Sequence, residues 1–224
     1  MRLTISLKSA GNALPFSYQH ELAAAIHRWI GHNSLHGRAY SPLSFGLLVG
    51  LQRRGDYLFA QEAGNVRWWV GCWDEQVIER LIEGIHADSH AAFGMRVSRY
   101  NVQERQRFRD GRRVWFVETP IVLRRKRLGK ADEYVMWDAF DANHLLTSSL
   151  RKKMEANGVN ADIHSARFDT KYAKAKSKLI QIADTRVRGS LCPVIVDADA
   201  LAHEFIWAAG IGALTGMGFG AAKD

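Results

Sequence analysis

The sequence predicts an α+β fold built from two tandem ferredoxin-like (RRM-like) βαββαβ domains, and three observations predict it. Its 224 residues suffice for two units of about 110 residues, each able to bury a core. Stretches with a period of two alternate with stretches of helical period in the order β-α-β-β-α-β, and the second half repeats that rhythm. An apolar content of 47% with 24% charged residues is the composition of a globular chain.

The elements follow in order. Leu3, Ile5 and Leu7 share one face of a strand from Arg2 to Lys8. From His20 to Gly31 the period becomes helical, with Leu22, Ile26, Trp29 and Ile30 in one stripe and His20, Ala24 and His27 opposite. Strands are expected over Leu43–Leu51, Tyr57–Ala60 and Val66–Cys72, then a helix capped by Asp74 that carries Val77, Ile78, Leu81, Ile82 and Ile85. An extended segment from Met95 meets Asp110-Gly111, a hairpin dipeptide, and Arg112–Val122 is expected to return beside it. The second unit reads as a strand over Thr119–Arg125, a helix over Asp138–Ala156, strands near Leu179–Ile182 and Ser190–Val196, a helix over Ala198–Ala209 and a short last strand. The boundary falls near Glu118, giving domains 1–117 and 118–224.

Several classes are excluded. Cys72 and Cys192 form neither a disulfide framework nor a zinc motif, so a reducing cytoplasm is the expected compartment. The N-terminus alternates like a strand and has no signal-peptide core. Phe205–Ala222 lacks charge, but five glycines within eleven residues weaken any helix there, so no membrane span is expected.

The net charge is +8, and residues 96–130 hold 12 basic and 3 acidic side chains between two nearly neutral flanks. Such a concentration, with Tyr100, Phe108, Trp115 and Phe116 interleaved, suits a polyanion, and a solvated surface is the bland alternative. If extended, Arg99, Arg105, Arg107 and Arg109 share a face.

The clearest motif is Gly210-Ile-Gly212-Ala-Leu-Thr-Gly216-Met-Gly218-Phe-Gly220. It follows a helix and ends the sequence, whereas a dinucleotide-binding GxGxxG follows a strand and opens a helix. Glycine permits positive φ and close backbone approach, so the segment either cradles RNA phosphates or merely closes the fold.

These glycines carry a resemblance. Gly210-Ile211-Gly212, five residues, then Gly218-Phe219-Gly220 resembles the C-terminal signature of the CRISPR-associated endoribonucleases that process precursor crRNA (the Cas-six type of the RAMP superfamily). The likeness extends to the strand-first N-terminus, a histidine soon after the first helix, Thr119-Pro120-Ile121-Val122, and the helix with Leu145-Leu146 and Lys152-Lys153.

His20, His27, His32 and His36 lie within seventeen residues. Metal-free RNA cleavage needs a base for the 2′-hydroxyl proton, an acid for the leaving 5′-oxygen and a cation for the charged phosphorane, and imidazole suits both proton transfers. The resemblance implies a catalytic histidine in the loop after the first helix, where His36 falls, and a second group on that helix, where His27 falls. The two are assigned jointly as the acid–base pair. Family members often carry a lysine after the loop histidine; this sequence offers none before Lys126, so Arg38 takes the charge-stabilising role, with Tyr40 as polar partner. A zinc site at His32-xxx-His36 lacks a third ligand and the HExxH glutamate, and neither metal nor cofactor is expected.

RNA contacts are expected from Arg105, Arg107, Arg109, Arg112, Arg113, Arg124, Arg125, Lys126, Arg127, Arg186 and Arg188, together with Gly210, Gly212, Gly216, Gly218 and Gly220. The expected activity is metal-independent cutting of CRISPR repeat RNA to a 2′,3′-cyclic phosphate and a 5′-hydroxyl. The competing readings are a non-catalytic RAMP subunit that binds crRNA and a general RRM-like RNA binder. Pre-crRNA is the expected partner, with other CRISPR effector subunits and a homodimer left open.

Overall fold

The computed structural model describes residues 1–31, 40–61, 66–127, 129–182 and 184–223. In the first unit β1 (Arg2–Lys8) turns Leu3, Ile5 and Leu7 fully into the core. Beside it lie β6 (Val66–Cys72) and β7 (Arg96–Gln103), with β3 (Leu43–Phe45) beyond β6, all antiparallel. The order β3-β6-β1-β7 is that of a ferredoxin-like sheet. Two helices cover its inner face. In α1 (Gln19–Ile30) the apolar stripe is buried as expected, and in α2 (Glu75–Ala87) the Asp74 carboxylate caps the start by accepting from the Gln76 N–H. The expected strand from Leu43 to Leu51 divides into β3 and a separate β4 (Leu51–Arg54). Between them Gly50, at φ 94°, turns the chain into a small sheet with β2 (Leu14–Pro15) and β5 (Tyr57–Ala60).

The second sheet has the order β11-β14-β8-β15, formed by β8 (Gly111–Val117), β11 (Ile163–Phe168), β14 (Val194–Ala198) and β15 (Ala222–Lys223). It is again the ferredoxin-like order, with α3 (Ala142–Glu155) and α4 (Ala200–Ala209) as its helices. Two ribbons are inserted, β9 (Leu123–Arg127) with β10 (Lys130–Val135) and β12 (Lys176–Ile182) with β13 (Thr185–Leu191). Tandem ferredoxin-like units are therefore the architecture.

The expected hairpin is corrected. Asp110-Gly111 does not turn a hairpin, because β7 pairs with β1 whereas β8 pairs with β14 and β15. The Asp110 carboxylate instead accepts from the Ala200 N–H at 2.7 Å, fastening the dipeptide to the start of α4. The passage between sheets thus lies within 104–110, and β8 opens the second unit rather than closing the first.

The glycine-rich segment joins the two units. Gly210 and Gly220, at φ 72° and 57°, meet across a closed turn in which the Ile211 N–H donates to the Gly220 carbonyl at 2.8 Å. A Cβ on Gly220 would stand 1.8 Å from the Ile211 oxygen, and one on Gly210 would stand 2.6 Å from the Gly220 oxygen, so neither position has room for a side chain. On the first unit's side, Gln19 of α1 donates to the Gly218 carbonyl at 2.9 Å, and the Ser44 hydroxyl donates to the Ala208 carbonyl at 2.9 Å. Arg2 donates to the carbonyls of Trp207 and Ala222 while its guanidinium lies between the Trp69 and Trp207 rings, 4.0 and 4.5 Å from their centroids.

Candidate nucleic-acid interface

A groove of about 650 Å³ opens between β9 and α3. Arg124, Arg125 and Lys126 form one wall, and Leu145, Ser148, Ser149 and Lys152 form the other. The second wall follows helical arithmetic, since positions i, i+3, i+4 and i+7 of α3 share a face. Tyr40 and Ala213 close one end. The Tyr40 carbonyl accepts from Asn157 Nδ2 at 3.4 Å, and Asn157 also donates to the Lys153 carbonyl at 2.7 Å, so the end of α3 holds the chain just after the 32–39 segment.

The groove's charges differ in availability. Arg125 is engaged by Asp141 and by Glu133 at 2.8 Å, and the Asp141 contact raises its already high pKa. Arg127 and Arg125 hold the Glu133 carboxyl below its usual range, the Arg127 hydrogen bond being the larger cause. Arg124 lies 3.6 Å from Asp132. Among the described residues no carboxylate pairs with Lys126 or Lys152, which leaves both ammonium groups available to phosphate oxygens.

Beneath this surface sits a third lysine with a different task. Lys153 is 1% exposed, and its Nζ contacts the carbonyls of Ala209 at 2.6 Å and Gly210 at 3.3 Å and the Thr215 hydroxyl at 2.9 Å. It therefore caps the carbonyl end of α4, where a cation is favoured by the helix dipole. Burial pushes its pKa down to about 7.

The expected site residues divide among several places. Tyr40, Arg124, Arg125 and Lys126 meet in the groove, with Arg127 exposed at the end of β9. His27 lies half-buried in the last turn of α1. His36 and Arg38, like His32, lie outside the described residues. Arg107, Arg109, Arg112 and Arg113 line a separate concavity of about 470 Å³ with Phe108 and Asp110. There Arg107 pairs with Glu204, and Arg113 lies over the Phe108 and Trp115 rings. Arg105 stacks on Trp73 at 3.9 Å and pairs with Glu75. Arg186 and Arg188 stand exposed on one face of β13, opposite Gln181 and Leu179. The basic stretch is thus split between two concavities that share no lining residue.

The glycines are placed otherwise than expected. Gly210, Gly212, Gly218 and Gly220 are buried, enclosed by the Gly220 carbonyl, the Val122 carbonyl, the Phe45 ring and the Ile211 carbonyl respectively. Their lack of side chains serves protein–protein packing at the seam, which was the alternative reading of the motif. Only Gly216 reaches partial exposure, beside Ser41. The reading from sequence also missed Ser148, Ser149 and Lys152 as groove residues, although their common helical face was there to be counted.

The sequence model described as "CRISPR associated protein Cas6, C-terminal" matches residues 102–223, more than half of the chain. The chain belongs to the Cas6 family. No curated protein matches it in sequence. Among solved structures, a Cas6-related protein of Pyrococcus furiosus superposes with a TM-score of 0.82 at 18% identity, over 100% of this chain and 97% of that one. A RAMP protein described as binding different RNA substrates gives 0.79 at 20% identity, over 100% and 98%. A Cas6 solved as its product complex gives 0.66 at 13% identity, over 99% and 97%. At these identities the likeness concerns the fold, and all three align over both ferredoxin-like units of this Cas6 chain. The family match begins at Val102, at the end of β7, and so covers the linker and the whole second sheet. No described helix of this Cas6 is long and apolar enough to cross a membrane, and no described cluster of three or more histidine, cysteine or carboxylate groups could hold a metal ion.

Proposed function

We propose that this Cas6 chain is an endoribonuclease that cuts CRISPR repeat RNA by acid–base chemistry without a divalent ion. The observation that carries the reading is the position of Tyr40. It lines the end of a groove that offers two ammonium groups paired with no described carboxylate, and His36 lies four residues before it along the chain. The groove holds the phosphate backbone through Lys126, Lys152 and Arg124, while the Ser148 and Ser149 hydroxyls add hydrogen bonds.

The bonds change as follows. The 2′-oxygen attacks the adjacent phosphorus, the P–O5′ bond breaks, and a 2′,3′-cyclic phosphate and a 5′-hydroxyl result. One imidazole of the His36 and His27 pair removes the 2′-hydroxyl proton and the other protonates the departing O5′. Arg38 stabilises the phosphorane charge, with Tyr40 beside it as a hydrogen-bonding partner.

Incubating the protein with repeat RNA from its own CRISPR array in EDTA tests this directly. Products ending in a cyclic phosphate are expected, and His36→Ala is expected to abolish cutting while RNA affinity survives. Cutting that stops in EDTA, or full activity in His36→Ala, refutes the mechanism. One observation favours a second reading, a crRNA-binding subunit that does not cut. No lysine occurs between Lys8 and Lys126, although the cutting relatives often place one after the loop histidine. Tight binding of intact repeat RNA under the same conditions would select it.

A further inference from the structure

We propose that Phe140 is a nucleobase-stacking residue that receives a base of the RNA at the end of the groove remote from Tyr40. This rests on the reading of the groove as an RNA site. The groove has two distinct ends because β9 and α3 run in opposite directions. Val122, just before β9, bridges to Ala213 near the end of α3 where Lys153 meets Thr215 and Asn157 holds Tyr40. Three residues later Arg125 pairs with Asp141, the residue that begins α3. The 14 residues of α3 separate these ends by about 21 Å. Phe140 immediately precedes Asp141.

The residue has a relative exposure of 106%, the largest among the described exposed large apolar residues, and so it contributes no packing to the fold. An isolated exposed apolar residue is ordinary and asks for no explanation by itself. This one differs in being held on a pinned turn. The Ala139 and Ala142 N–H groups donate to the carbonyls of Met136 and Ala139, the Trp137 N–H donates to the Ser190 hydroxyl, and Asp141 is locked by Arg125.

The surroundings select the kind of occupant. Phe140 is flanked in sequence by Asp138 and Asp141, with Arg125 and Glu133 close to Asp141, so charged groups border the ring on the groove side. The exposed Asp138 carboxylate disfavours a phosphate beside the ring, while Lys126 at the adjacent wall of the groove draws the backbone toward itself. A strand held by Lys152 and Lys126 therefore leaves the groove with its base, rather than its phosphate, toward the ring. Stacking needs only a π-face, which every base provides.

The test measures equilibrium binding of the repeat RNA to the full chain at several salt concentrations, in a His36→Ala background that keeps the RNA intact. Phe140→Ala is expected to weaken binding roughly 5- to 100-fold with an unchanged salt slope, Phe140→Trp to restore it, and Phe140→Leu to behave like Phe140→Ala. Lys126→Ala and Lys152→Ala serve as the independent arm, each expected to weaken binding and to reduce the slope by about 0.7 to 0.9. Wild-type affinity in Phe140→Ala, or rescue by leucine as good as by tryptophan, overturns the stacking proposal. Lysine variants that bind as well as wild type with an unaltered slope would instead overturn the reading of the groove.

Discussion

Replacing Lys153 with methionine should change how stability depends on pH, and the buried contacts of Lys153 set the size of the change. Its side chain is free to titrate at an ordinary 10.5 in the unfolded chain, whereas burial lowers the folded value to about 7. Between these values the unfolded state holds a proton that the folded state has lost, so stability rises with pH from 7 to 10.5. Below pH 7 both states are protonated, and the folded state bears the full cost of the enclosed charge. Lowering the value from 10.5 to about 7 corresponds to roughly 5 kcal/mol. The Ala209 and Gly210 carbonyls and the α4 terminus favour the ammonium, which makes this figure a ceiling. The contacts survive deprotonation, since a neutral amine donates to both carbonyls and accepts from Thr215, so no rearrangement accompanies the titration. Urea unfolding of wild type and Lys153→Met at intervals from pH 6 to 10 isolates the effect, because other groups titrate alike in both. Wild type should gain on the variant by up to about 4 kcal/mol across that range. A difference that stays flat would refute the lowered pKa of the buried Lys153.

Other perturbations test the seam. Gly220→Ala should cost roughly 4 kcal/mol or more, because its Cβ would strike the Ile211 carbonyl and break the turn, and chemical denaturation or loss of soluble protein would reveal it. Gly216→Ala should cost less than about 1 kcal/mol, since φ there is not positive and the nearest atom is the movable Ser41 hydroxyl; an equal loss in both variants would contradict the packing explanation. Arg2→Leu removes the guanidinium donors to Trp207 and Ala222 and should destabilise by about 2 to 4 kcal/mol, visible as a lowered Tm, and a Tm within a degree of wild type would count against Arg2 as a fastening between the units.

Much of the architecture was legible because its signals are local. The alternation of Leu3, Ile5 and Leu7, the Val66–Cys72 strand and the Asp74 cap each follow from neighbouring residues alone. Failures arose where distant contacts decide. Asp110-Gly111 has hairpin chemistry, yet a partner 90 residues away, Ala200, determines its path. β11 went unseen because its burial does not alternate, leaving Ile163, Ala166 and Phe168 as the buried positions. For the glycine signature the sequence announces a close approach but not what approaches, and the structure encloses Gly212 and Gly218 with Val122, Phe45 and Gln19. Lys152 and Lys153 are adjacent and chemically identical in sequence. A rotation of 100° about α3 puts one in the groove and the other in the core.

Because the Gly210–Lys223 stretch supplies the edge strand of the second sheet and also the surfaces against which Gln19 and Phe45 of the first unit close, neither half is complete until that stretch is present. These residues leave the ribosome after every other described element. The nascent first half therefore waits with an unfilled face until they emerge, and consolidation of both halves becomes a single event rather than two successive ones.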